Sequence, residues 1–99
     1  MKQDTNFIED ETFKETVKAI ICQNIKKYRN EKGVRLMDLA DKLDLSVNHL
    51  KRIESENDRN NVSIPTLCKI SILLDVPIGN FFEGIEKFNS NKINTEKEK

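Results

Sequence analysis

Residues 36–54, LMDLADKLDLSVNHLKRIE, constrain the fold of this chain more than any other stretch. Leu39, Ala40 and Leu43, then Leu45, then Leu50 and Ile53 recur at helical spacing, with a break between the two groups. The pattern predicts two short helices, over 36–43 and about 47–55. Helices shorter than about 12 residues are marginal alone in water, so these two must pack on each other and on neighbours. Ala40 supplies a small side chain where two helices cross closely. Asp44 stands at the break, where a left-handed backbone is needed and Asp tolerates it better than most residues. Ser46 precedes the second helix as its N-cap, accepting a bond from an otherwise orphaned backbone N–H.

The flanking sequence supplies the neighbours. Thr12 and Glu15 form a T-x-x-E capping box for a first helix over about 12–32, with Phe13, Val17, Ile20, Ile21, Ile25 and Tyr28 on one face. Gly33 ends it as a left-handed cap. Downstream, Ser63 caps a fourth helix with Pro65 in its first turn, and Ile64, Leu67, Ile70, Leu73 and Leu74 are expected on its buried face, with Cys68 and Ser71 alongside. A short fifth helix after Pro77, about 78–83, buries Phe81 and Phe82. The expected architecture is all-α: a flexible acidic arm over 1–11, a compact five-helix domain over 12–84, and a polar tail over 85–99. In that tail Ile85 and Phe88 extend the last helix before the chain becomes disordered.

The central pair reads as a helix-turn-helix and resembles the DNA-binding family of lambda repressor and Cro, also called the xenobiotic-response-element family. The run SIPTLCKISILLDVPIGNFFEG parallels that family's closing pattern of Ser-Leu-x-Thr-Leu-x-Lys-Ile, a Leu-x-Val turn and a last helix ending in two large apolar residues. The resemblance covers about residues 21–82. It implies a sequence-specific double-stranded DNA-binding transcriptional regulator, acting as a repressor and binding as a homodimer at least on DNA. The two recognition helices would then lie about 34 Å apart in adjacent major grooves.

With Leu50 and Ile53 inward, helix geometry places Val47, Asn48, Lys51 and Arg52 on the outer face, which in such proteins reads base edges. Arg suits guanine O6 and N7, Asn suits adenine N6 and N7, and Val suits a thymine methyl. The resemblance further implies phosphate contacts from Arg35, Ser46, His49, Arg59, Asn60 and Asn61, and an orienting ion pair between Arg29 and Glu54. Lys26, Lys27 and Lys32, opposite the apolar face of helix one, are either a solvated face or phosphate-facing. Three departures stand out. The chain has Arg35 and Leu36 where the family commonly has Ser and Gln, so Arg35 replaces part of the lost contact through a phosphate. The loop over 56–62 is a residue or two longer than the commonest version. The extra first turn bearing Phe13 either covers an apolar patch of its own domain or meets a second subunit, and Phe13, Ile85 and Phe88 are the candidate dimer or partner contacts.

Net charge is zero, yet unevenly spread: residues 1–16 carry −3, 17–82 carry +3 and 83–99 carry 0. A mildly basic core permits a DNA partner without requiring one. Cys22 and Cys68 have neither a disulfide-framework nor a zinc spacing and are expected as two buried thiols, which fits a reducing cytoplasm. His49 is the only histidine, so no His cluster forms for metal or acid–base work. With no glycine-rich phosphate loop and no nucleophile–base pair at useful spacing, no enzyme activity, metal or cofactor is expected. No apolar run approaches the roughly 18 residues of a membrane span. A second reading makes the chain a protein-interaction module of antitoxin or antagonist type, using its termini, with DNA binding secondary. The zero net charge and Leu36 are its support.

Overall fold

The computed structural model describes residues 11–55 and 62–86. Their regular structure is entirely helical: α1 Glu11–Glu31, α2 Leu36–Leu43, α3 Val47–Ile53, α4 Ile64–Leu74 and a closing 3-10 turn Ile78–Phe82. The all-α, five-helix architecture is thus present, with its last member wound tighter than an α-helix. Pro77 just before it and Gly84 at φ +98 two residues past its end leave six residues, five of them in the turn, a length suited to 3-10 geometry. The expectations for the acidic arm, for Asn57, Arg59, Asn60 and Asn61, and for Phe88 with the tail lie outside the described residues.

Helix α1 ends as its sequence requires. Gly33 adopts φ +70, its N–H donates to the Asn30 carbonyl at 3.0 Å, and the Val34 N–H donates to the Arg29 carbonyl at 3.1 Å. Those bonds satisfy carbonyls that the helix end would otherwise orphan. The start differs from the expected capping box. The helix is already formed at Glu11, so Thr12 lies inside it, and the Thr12 carbonyl accepts a 2.8 Å bond from the Thr16 hydroxyl.

The core takes Ile25 from α1, Leu39, Ala40 and Leu43 from α2, Leu50 and Ile53 from α3, Leu67, Ile70 and Leu74 from α4, then Val76 and Phe81. Phe81 is fully enclosed and meets Tyr28 edge-on, ring centroids 5.8 Å apart. A polar residue within the apolar pattern of α1 fixes this closing turn. Buried Asn24 donates through Nδ2 to the carbonyls of Phe81 at 2.9 Å and Glu83 at 3.1 Å. Sequence periodicity alone does not reveal that role, because amide partners 57 and 59 positions away leave no local pattern.

Two expectations about burial are corrected. Ile64 and Leu73 face outward, and so does Cys68, because only the Leu67, Ile70 and Leu74 side of α4 reaches the core. Ile64, Cys68 and Ile72 instead form an exposed i, i+4, i+8 stripe, with Ile64 69% and Ile72 77% exposed. On α1, Phe13, Val17 and Ile20 are half-buried while Cys22 and Ile25 are buried, because the first turns of the helix run past the core. Neither cysteine is in a disulfide. No helix among the described residues is long and apolar enough to cross a membrane.

Candidate nucleic-acid interface

The break between α2 and α3 is built by Asp44. It adopts φ 59, ψ 42, its N–H donates to the Asp41 carbonyl at 3.0 Å, and the Leu45 N–H reaches back to the Ala40 carbonyl at 2.9 Å. A left-handed residue there reverses the chain within three residues. Ser46 is extended, and its Oγ accepts from the His49 N–H at 3.0 Å while its carbonyl accepts from the Leu50 N–H at 3.1 Å. The Ser46 hydroxyl therefore serves the helix start, satisfying a donor that a seven-residue helix can ill leave open. The same corner recurs at the end of α4. Asp75 adopts φ 56, the Val76 N–H donates to the Ser71 carbonyl at 3.0 Å, and the Ser71 hydroxyl donates to the Val76 carbonyl.

Leu50 and Ile53 are the buried side of α3. At 3.6 residues per turn, Asn48 then projects directly away from the core, Lys51 and Arg52 lie about 50° to either side of it, and Val47 and His49 lie on the two flanks. All five are exposed, so the four residues expected on the outer face are there together. Val47 is 36% exposed.

The end of α3 is tied to α1. Arg29 Nε donates to Glu54 Oε2 at 2.7 Å and Arg29 Nη2 donates to Glu54 Oε1 at 3.1 Å, a bidentate pair with side chains only 10% and 6% exposed. Arg29 Nη1 also donates to the Val34 carbonyl at 2.9 Å. One guanidinium thus joins α1, the turn leading to α2 and the C-terminus of α3, and sets the angle at which α3 leaves the domain. Taking two charges out of water offsets much of their attraction, so the pair contributes orientation more than stability.

Arg35 sits at the N-cap of α2 without capping it. It donates from Nε to Asp38 Oδ2 at 2.9 Å and from Nη2 to Asp38 Oδ1 at 3.3 Å. The guanidinium holds the Asp38 carboxyl below its ordinary range, and the carboxylate in turn raises the arginine. Asp38 was not among the expected site residues. Its spacing of three from Arg35 in the first turn of a helix was the available signal. Phe13 and Ile85 line an open apolar groove of about 510 Å³ with Val17, Ile21, Cys22 and Val62, flanked by Lys14 and Lys18. Among the described residues, no group of three or more His, Cys, Asp and Glu side chains is placed to hold a metal ion.

A helix-turn-helix family model matches residues 25–81, from the middle of α1 to the closing turn. The HTH-type transcriptional regulator SinR of Bacillus subtilis is 44% identical over 59 residues, which are 60% of this chain and 52% of SinR. The HTH-type transcriptional regulator DdrOP3 of Deinococcus deserti is 30% identical over 66 residues, 67% of this chain and 50% of DdrOP3. The chain thus spans about half the length of the curated relatives it matches. A crystal structure of SinR, described as the master regulator for biofilm formation in complex with DNA, superposes with a TM-score of 0.56 at 41% identity. It covers 64% of this chain and 98% of that one.

Proposed function

The chain belongs to the helix-turn-helix family, and on that premise we propose that it is a sequence-specific double-stranded DNA-binding transcriptional regulator that inserts α3 into the major groove. The observation that carries this reading is the pairing of an exposed Asn48 and Arg52 face with a helix end locked by Arg29 and Glu54. Base recognition needs donors held in fixed register, and a helix whose exit angle is set by a bidentate pair provides it. In this reading Val47, Asn48 and Arg52 read base edges and Lys51 stands beside them. Ser46 and His49 approach the backbone at the start of α3, as does Arg35 at the start of α2. Arg59, Asn60 and Asn61 belong to the same set of backbone contacts.

Binding is as a homodimer, with occlusion of a promoter as the mechanism of repression. The open apolar groove lined by Phe13 and Ile85 is the surface that pairing with a second copy would use. The same groove would suit a protein antagonist, the alternative class of partner. The relatives are transcriptional regulators of bacteria, which supports a cytoplasmic location in this reading.

Selection from a random duplex DNA library at near-physiological salt tests the reading. Enrichment of a two-fold-symmetric site, bound by two chains, supports it. Recovery of only salt-sensitive, sequence-indifferent binding contradicts it.

A further inference from the structure

A second polar cleft lies beside α3, where α1 passes the start of α2. It encloses about 550 Å³ and is lined by Gln23 and Lys26 of α1, Leu36, Lys51 of α3, Ser55, and the paired Arg29 and Glu54. Lys26 and Lys51 are both exposed and come from different helices. Neither forms an ion pair among the described residues, whereas Lys27, one position from Lys26, is engaged with Glu83 at 3.7 Å. The one carboxylate in the lining is Glu54, whose two oxygens are taken by Arg29. The lining therefore presents two uncompensated positive charges and an amide donor, with no open acidic group to repel an anion.

We propose that this cleft seats one phosphodiester group of the bound duplex between Lys26 and Lys51, with the Gln23 amide as a third donor. The inference rests on the DNA-binding reading and deepens it. Lys51 lies on the α1 side of Asn48 and opens on the cleft, whereas Arg52 lies on the other side, so a groove that takes Asn48 and Arg52 brings its rim to the cleft. Two lysines converging on one phosphate release its counterion and contribute to affinity without discriminating sequence. Lys51 thus serves the backbone, and Lys26 joins the interface although it lies outside the helix-turn-helix itself.

The test uses the full chain and measures the slope of log affinity against log salt on an enriched duplex and on a scrambled one. Lys26→Met/Lys51→Met should lower the slope by about 0.9, the contribution of one phosphate. It should weaken both duplexes several-fold and alike, while Lys69→Met, which removes one lysine charge from α4, leaves the slope unchanged. Phosphate ethylation of the wild-type complex should then reveal one position per half-site at which interference disappears in the double variant. An unchanged slope overturns the proposal, as does a fall of about 1.8, which would mean two separate phosphates. A loss confined to the enriched duplex would return Lys51 to base reading and also overturns it. Failure of the wild-type chain to prefer any duplex would instead remove the DNA-binding reading itself, and this inference with it.

Discussion

Arg29 and Glu54, 25 positions apart in sequence, share two hydrogen bonds of 2.7 and 3.1 Å in a nearly dry setting at the C-terminus of α3. Removing one partner strands the other charge. Glu54→Ala should therefore cost about 3–5 kcal/mol, whereas Arg29→Met/Glu54→Leu, which removes both charges, should lie close to wild type. Denaturant unfolding of the two variants checks this. Equal destabilisation by both would mean that the pair acts through packing alone.

The two left-handed aspartates allow a backbone test. Asp44 and Asp75 have φ 59 and φ 56, which a Cβ-bearing side chain occupies at a cost of about 1–2 kcal/mol. At each position Gly should be at least as stable as Ala by about 1 kcal/mol, because relief of that cost outweighs the extra freedom of Gly in the unfolded chain. Thermal unfolding of the four single variants would show it. Ala equal to Gly at both positions would deny that the left-handed corner limits stability.

Tyr28 is the only tyrosine, so a phenolate absorbance titration reads it alone. Its hydroxyl donates to Glu83 Oε1 at 2.5 Å, and that bond, with the negative charge of Glu83, pushes its pKa up from 10.0 to about 12. The proton is held more tightly in the folded state than in the unfolded one. The stabilisation is therefore fully present below pH 10 and is lost as pH rises from 10 toward 12. Glu83→Gln should return the titration toward its ordinary position. A wild-type midpoint near 10 would contradict the hydrogen bond.

The cysteines should separate under a thiol reagent. Cys68 is exposed on α4 and Cys22 is buried on the inner face of α1, so native protein should consume one equivalent quickly and a second only on unfolding. Rapid loss of both thiols would place Cys22 nearer the surface.

The helix-turn-helix core was legible because its signals are local. Leu39, Leu43, Leu50 and Ile53 mark two faces by spacing, Asp44 and Ser46 mark the break by side-chain chemistry, and α2 begins and ends where that pattern puts it. The fourth helix shows the limit of the same method. Its sequence is apolar on several sides, so periodicity could not tell which residues face the core, and Ile64 and Leu73 were placed inward although they are exposed. Asn24 and the Lys26–Lys51 cleft were invisible for a different reason. Each depends on α1 meeting an element far away in sequence, and neither leaves a spacing to read. The Arg29–Glu54 contact was anticipated only through the family resemblance, since nothing in the intervening residues specifies it.

The most direct test of the account compares wild-type chain with Asn48→Ala/Arg52→Ala for affinity on an enriched duplex relative to a scrambled one, at one fixed salt concentration. Each bidentate base contact is worth about 1–3 kcal/mol of discrimination. The preference of the double variant should thus fall at least about tenfold, with the scrambled duplex little affected and thermal unfolding unchanged. If both duplexes are weakened by the same factor, or if the preference survives intact, the outer face of α3 does not read the bases and the central claim fails.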